Sequence, residues 1–359
     1  MREDRSTSLE MTENTAMLNR RDFTRAVTMS AALAPALLAA PAPRRLLLKP
    51  KRLALGDTVG LVCPATAVFE ADEIALAKEQ LEAIGFKVAV GKHVYDRWGY
   101  FAGHDRDRAD DINAMFADDN VAGVVCYTGG WGSPRVLPYI DFDLIQRNPK
   151  VIVGYSDITA LLNAINKKTT LITFHGPVGA SAFEPYSLEN FKRVVMTAEP
   201  AGLLAPPPKK PNEIVDRTNR ILKLAPGKAT GQLAGGNLTM IATGMGTPYQ
   251  VETVGRILLL EDVTEELYRI DRMLTQLALG GVFDNVRGVV FGRCSRCDYK
   301  GPTFSLEEIL RDRFGSLRLP AISGLSFGHI EQKLTLPIGI GATLDADAGT
   351  LTVDEAAVV

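Results

Sequence analysis

Cysteine is scarce in this chain, with four residues in 359. That excludes a disulfide-built scaffold, and a chain of this length can bury an adequate core without covalent staples. A surplus of one charge is also missing. Forty Lys and Arg face forty-two Asp and Glu, leaving a formal net charge of −2. The chain therefore lacks the basic footprint of nucleic-acid binding, and no nucleic-acid partner is expected. There is no internal repeat and no low-complexity tract. What remains is ordinary globular composition, 46% hydrophobic and 23% charged with 20 prolines and 32 glycines, at a length that suggests two domains.

Near the N-terminus, Asn19-Arg20-Arg21-Asp22-Phe23-Thr24-Arg25 precedes an uncharged, Ala-rich stretch from Ala26 to Pro43. Paired arginines, a Phe two positions on, a basic residue and a weak apolar region have the order of a twin-arginine export signal. The competing reading is a buried helix, which Pro35, Pro41 and Pro43 would break. The stretch is also too short and too poor in Leu and Ile to span a bilayer. Residues 1–42 are therefore expected to be an export signal outside the fold. It would deliver the protein to the periplasm and leave no stable membrane insertion after its removal. Small-residue patterns at Ala34-Pro35-Ala36 and Ala40-Pro41-Ala42 leave the cleavage site open.

From Thr58 to about Phe174 short apolar runs alternate with amphipathic stretches. Thr58–Cys63 reads as a buried strand, and Ile74, Ala77, Leu81 and Ile84 repeat at helical spacing until Gly85 ends the helix. Val121–Tyr127 is a strand, Val136–Gln146 a helix, Val151–Gly154 a short buried strand, and Asp157 opens a helix to about Asn166. Such alternation predicts an α/β domain over 45–198 with a parallel sheet of Rossmann or flavodoxin-like type, its ligand site at the strands' carboxyl ends. Pro200, Pro206, Pro207, Pro208 and Pro211 then mark 199–212 as a linker. Beyond it, a strand at Ile257–Glu261, a helix from about Glu265 to Leu279, a strand at Val286–Phe291 and a period-two hairpin over Thr343–Asp354 predict a smaller mixed α/β domain with antiparallel content at 213–359.

Four segments carry residues suited to chemistry. In Val153-Gly154-Tyr155-Ser156-Asp157-Ile158-Thr159, Ser156 stands between an apolar strand and a helix start. That is the setting of a nucleophile elbow, where the first helical N–H groups face a developing oxyanion. Ile158 replaces the second glycine of G-x-S-x-G, and taken alone the segment reads better as an ordinary N-cap at Ser156 or Asp157. Gly129-Gly130-Trp131-Gly132 follows a strand and could supply unhindered N–H groups to an oxyanion or a carboxylate, or be a plain tight turn. No Gly-Lys-Ser/Thr follows, so it is not a phosphate loop. Glu261 ends a buried strand, where a carboxylate needs a partner unless it sits at the solvated boundary. His329, one of four histidines, follows Gly328 at the end of an apolar segment. His93 and His104 flank a surface-loop pattern, and His175 precedes Gly176-Pro177, a turn signal. Cys294-Ser295-Arg296-Cys297 lacks the further ligands a zinc site wants. No metal or cofactor is expected, and after export this pair could form a disulfide.

Taken together, Gly-Gly-Trp-Gly at 129–132, Gly-Tyr-Ser-Asp at 154–157, Leu-Leu-Glu-Asp at 259–262 and Gly-His at 328–329 stand in the order seen in the LD-carboxypeptidases, serine peptidases that include murein tetrapeptide carboxypeptidase and the microcin C self-immunity peptidases. Tyr268-Arg269-Ile270-Asp271-Arg272-Met273-Leu274, Gly235-Gly236-Asn237-Leu238 and Leu336-Pro337-Ile338-Gly339 extend the resemblance, which covers about Leu53 to Val353. It implies a Ser156-Glu261-His329 triad at a domain junction, with an oxyanion hole from the N–H of Asp157 and of Gly129 or Gly130, Gly130 favoured. It also implies substrate contacts from Gly129 and Trp131, a homodimer, and a small peptide or muropeptide substrate cleaved between an L-centre, diaminopimelate, and a terminal D-alanine. Arg135 and Arg269, beside the motifs, are candidate anchors for the substrate carboxylate. The alternatives are a peptidase of antibiotic-like peptidyl nucleotides and an exported muropeptide-binding protein without catalysis.

Overall fold

In this computed structural model the described residues are 46–359 without 210, 217, 299 and 300, so the expected export signal lies outside them. The chain begins with β1 (Thr58–Val62), whose apolar residues are buried on both faces, as a central parallel strand requires. Helix α1 (Ala71–Ile84) turns Ile74, Ala77, Leu81 and Ile84 to the sheet and ends at Gly85, whose φ of 114° suits the left-handed cap. Then follow β2 (Lys87–Val90), α2 (Asp105–Ala117), β3 (Val121–Cys126), α3 (Ser133–Val136), α4 (Phe142–Arg147), β4 (Val151–Gly154), α5 (Thr159–Thr169), β5 (Thr173–His175) and α6 (Pro185–Val195). The single helix expected over Val136–Gln146 is instead α3, a 3-10 turn at Leu137–Tyr139 and α4. Pro138 offers no backbone donor, and Asp141 restarts the helix by accepting the Leu144 N–H at 2.8 Å.

The later elements are β6 (Pro200–Leu203), β7 (Leu222–Ala225), β8 (Lys228–Asn237), α7 (Leu238–Thr243), β9 (Arg256–Val263), α8 (Leu267–Leu279), β10 (Gly288–Ser295), α9 (Leu306–Gly315), β11 (Ala321–Ser323), β12 (Leu336–Ile338), β13 (Gly341–Asp345) and β14 (Thr350–Ala356). Two sheets result, a six-stranded one ordered β12-β5-β4-β3-β1-β2 and an eight-stranded one ordered β6-β14-β13-β8-β9-β10-β11-β7. In the first, β1 to β5 are parallel in the order 2-1-3-4-5, the flavodoxin-like arrangement. Only β12 runs antiparallel there. The second sheet is mixed, with a parallel centre of β8 to β11 and antiparallel flanks, including the β13–β14 hairpin.

Strand β6 opens the stretch read as a linker and pairs with β14 at the sheet's edge, where Pro200 forfeits no central ladder bond. Residues Leu46–Val359 form one compact unit. One buried cluster joins Leu61, Val125 and Phe174 of the first sheet to Leu259, Val290 and Leu344 of the second. Among the described residues no helix is long and apolar enough to cross a membrane.

Candidate active site

Ser156 leaves the carboxyl end of β4 on a 3-10 turn, Ser156–Ile158, with its own φ at 63°. This left-handed conformation is unfavourable for a residue with a side chain, and here it lifts the hydroxyl off the strand. Glu261 comes from β9 in the second sheet and is fully buried. His329 lies on the loop after β11, preceded by Gly328, where a Cβ would stand 2.5 Å from Glu261 Oε2. Glycine there lets the loop come down onto the carboxylate.

The three side chains form one hydrogen-bonded line. The Ser156 hydroxyl donates to His329 Nε2 at 2.8 Å, and His329 Nδ1–H donates to Glu261 Oε2 at 2.8 Å. The tautomer follows from the carboxylate, because an ionised Glu can only accept. Burial by itself would raise the Glu261 carboxyl, but the imidazoles of His175 and His329 outweigh it and lower it to about 2. Asn237 donates to Glu261 Oε1 at 3.3 Å and to Asp262 Oδ1 at 3.1 Å, holding the two neighbouring acids apart. Asp262 behaves oppositely to Glu261: burial, with Glu261 beside it, pushes its carboxyl up to about 6 against several donors.

The glycine loop and the nucleophile turn are tied together. Asp157 accepts the Ser133 N–H at 2.7 Å, and the Ser133 hydroxyl donates to the Asp157 carbonyl. A Cβ on Gly129 would stand 2.8 Å from Ser156 Cβ and 3.2 Å from the Asp157 nitrogen, so no other residue fits against the serine. The Gly129 backbone and the Asp157 nitrogen thus both lie against Ser156. Trp131 is exposed and meets Tyr100 edge-on, with ring centroids 6.1 Å apart.

Both candidate carboxylate anchors are already engaged. Arg135 makes a two-pronged contact with Asp105, Nε to Oδ1 and Nη2 to Oδ2, each 2.9 Å, and lies over the Trp98 and Phe101 rings. Arg269 projects from α8 toward Glu265 at 3.8 Å and Tyr268. Two residues the sequence did not single out stand beside the triad. His175 is the last residue of β5, buried, its Nε2 3.9 Å from Glu261 Oε1, beyond hydrogen-bond range. Its signal was present in the apolar run Leu171–Phe174 before it, masked by the Gly-Pro that follows. The other is Lys333, on the His329 loop. Cys294 and Cys297 are disulfide-bonded at the end of β10, and the Ser295 hydroxyl between them donates to the His329 carbonyl at 2.7 Å. His93, Asp96 and Asp107 are close enough to share a cation, their ligand atoms within 4.8 Å, but none belongs to the triad.

A serine hydroxyl bonded to an imidazole, itself bonded to a buried carboxylate at the ends of strands in two α/β sheets, is the arrangement of a serine hydrolase. The chain matches the LD-carboxypeptidase N-terminal domain over residues 59–176 and the LD-carboxypeptidase C-terminal domain over 230–344. It belongs to the LD-carboxypeptidase family of serine peptidases. It is 36% identical over 318 residues to the probable murein peptide carboxypeptidase of Bacillus subtilis, covering 85% of this chain and 94% of that protein. Its fold matches the microcin C7 self-immunity protein MccF at a TM-score of 0.79 and 28% identity, covering 87% of this chain and 100% of that one. It matches the muramoyltetrapeptide carboxypeptidase of Oxalobacter formigenes at a TM-score of 0.70 and 28% identity, covering 83% and 99%. The chain is thus a serine-type carboxypeptidase.

Proposed function

We propose that this enzyme hydrolyses the bond between an L-centre, diaminopimelate, and the terminal D-alanine of murein stem tetrapeptides. The observation that carries the reading is the unbroken line of 2.8 Å hydrogen bonds from Ser156 through His329 to buried Glu261. Ser156 Oγ attacks the scissile carbonyl while His329 Nε2 takes its proton, and Glu261 stabilises the imidazolium that forms. The N–H groups of Asp157 and Gly130 receive the oxyanion, each such donor being worth about 3 kcal/mol in the transition state. His329 then protonates the leaving amine of D-alanine. Water, deprotonated by the same imidazole, frees the stem tripeptide from Ser156.

The likeness to MccF, solved in complex with adenosine monophosphate and with aspartyl sulfamoyl adenosine, favours a second substrate class for the same triad, the peptidyl nucleotides. Export through a twin-arginine signal would place the enzyme beside periplasmic peptidoglycan, and assembly as a homodimer belongs to the same reading. Arg20→Lys with Arg21→Lys should then retain the protein in the cytoplasm on cell fractionation, and light scattering of the mature protein should give twice the chain mass.

The deciding assay is release of D-alanine from a disaccharide-free stem tetrapeptide, with and without a chelator. Turnover unaffected by the chelator and reduced at least about 10⁴-fold in Ser156→Ala is expected. Binding of the tetrapeptide without turnover would make the protein a muropeptide-binding protein, and cleavage of a peptidyl nucleotide alone would transfer the reading to that class.

A further inference from the structure

A carboxypeptidase must tell a chain end from a chain interior, and what distinguishes the end is a free carboxylate. A cation within one residue of the scissile bond is the usual physical means of reading it. Arg135 and Arg269 have carboxylate partners of their own. Arg108 is also committed, to Asp105 and to the carbonyls of Pro64 and Gly132. Lys333 is different.

Lys333 is 6% exposed. Its ammonium lies 4.2 Å from the centre of the Tyr155 ring, and among the described residues it has neither a hydrogen-bond acceptor nor a carboxylate within 4.0 Å. Tyr155 directly precedes Ser156, and its ring stands 5.0 Å from the His329 ring, centre to centre. The ammonium thus shares the Tyr155 ring with the catalytic imidazole. Its backbone is fixed as well. The Lys333 N–H donates to the Ser187 hydroxyl at 2.9 Å, and the Leu334 N–H to the Ser326 carbonyl at 2.7 Å, four and five residues after His329 on the same loop.

Two carboxylates act on Lys333 from a distance, and neither is available to it. Glu261 is bonded to His329 and Asn237, and Glu184 caps α6 by accepting from the N–H groups of Tyr186 and Ser187. A lysine this buried loses much of the hydration of its ammonium without a direct anionic partner, and burial lowers it to about 8, against the pull of Glu261 and Glu184. It would still carry its proton at neutral pH. An incoming carboxylate would supply the missing partner.

We infer that Lys333 is the specificity-determining residue that receives the substrate's terminal carboxylate. The inference rests on the carboxypeptidase reading of the triad given above. With the scissile carbonyl at Ser156 Oγ and the leaving nitrogen at His329 Nε2, the carboxylate lies one residue further, about 3.8 Å along the chain. Lys333 stands 4.2 Å from the centre of the Tyr155 ring, whose centre is 5.0 Å from that of His329, so the ammonium lies within about 9 Å of the imidazole and faces the region that the carboxylate would enter.

The test compares the stem tetrapeptide with its C-terminal amide, which is isosteric but uncharged. Wild type should favour the free acid in kcat/KM, and Lys333→Met should lower kcat/KM for the acid about 10–100-fold while leaving the amide within about threefold, the worth of one charge-assisted bond. Lys333→Arg should restore most of the preference. Binding of both peptides to Ser156→Ala, with and without Lys333→Met, reads the same gap without turnover. If Lys333→Met lowers acid and amide alike, or the gap persists in both measurements, Lys333 does not read the carboxylate. Absence of wild-type turnover with an intact binding gap would instead overturn the reaction and leave the anchor standing.

Discussion

At Ser156 two demands meet in one residue. The hydroxyl must stand clear of β4, which fixes φ at 63°, and a side chain in that conformation costs about 1–2 kcal/mol. Asp157, tied to Ser133, and the bond to His329 hold it there. Ser156→Gly and Ser156→Ala should both be inactive, but Gly should be the more stable in urea titration by up to about 1 kcal/mol; equal midpoints would show that no strain is stored. The adjacent acids give a second prediction, with opposite signs. Glu261, lowered from 4.5 to about 2, contributes stability that is complete above pH 4.5 and lost as pH falls toward 2. Asp262, raised from 3.8 to about 6, binds its proton more tightly when folded, so its contribution falls as pH rises from 3.8 to 6. Glu261→Gln should flatten the lower window of the stability profile and Asp262→Asn the upper one, as read by unfolding midpoints across pH. At this scale the sequence was only partly informative. Ser156, Glu261 and His329 carry their motifs openly. Lys333, between Gln332 and Leu334, has the pattern of any solvated lysine, and only the folding of its loop against α6 and Tyr155 buries it.

The elements were more legible than their partners. The parallel strands β1, β3 and β4, helix α1 and the β13–β14 hairpin follow from apolar runs, helical spacing and period-two alternation. That β12 would leave the second half of the chain to pair with β5 in the first sheet has no local signature, since its three residues, Leu336–Ile338, are apolar in either place. The end of β10 makes a functional connection that the spacing of two cysteines does not announce. The bridge from Cys294 to Cys297 closes a short turn around Ser295, which holds the His329 carbonyl. Closing so short a loop stabilises by about 2 kcal/mol on chain-entropy grounds. The double variant Cys294→Ser, Cys297→Ser should therefore melt earlier, and its kcat should fall several-fold because His329 loses a firm support. Addition of a reductant to wild type should reproduce both changes, whereas unaltered melting and kcat would mean that the turn holds its shape without the bond.

On the scale of the whole molecule, the two family domains meet at the triad and share a core. Ser156 belongs to the first sheet and Glu261 to the second, while His329 comes from the loop between β11 of the second and β12 of the first. The geometry that places 2.8 Å bonds across this junction needs both sheets in register with each other, and the buried cluster that joins them supplies it. If the halves were independent, the site would open whenever either half loosened, well before global unfolding. A shared core predicts a single transition instead. The two tryptophans, Trp98 and Trp131, both lie in the first half of the chain, so their fluorescence reports that half while far-UV circular dichroism reports both. Urea unfolding followed by fluorescence, circular dichroism and residual peptidase activity should give coincident midpoints. Leu336→Ala, which truncates a fully buried side chain on the strand that ties the halves together, should move all three midpoints together by the equivalent of about 2–5 kcal/mol. Activity lost at lower urea than fluorescence would mean that the junction opens while the first sheet is intact, and that the triad is assembled by docking of two separable domains rather than by one fold.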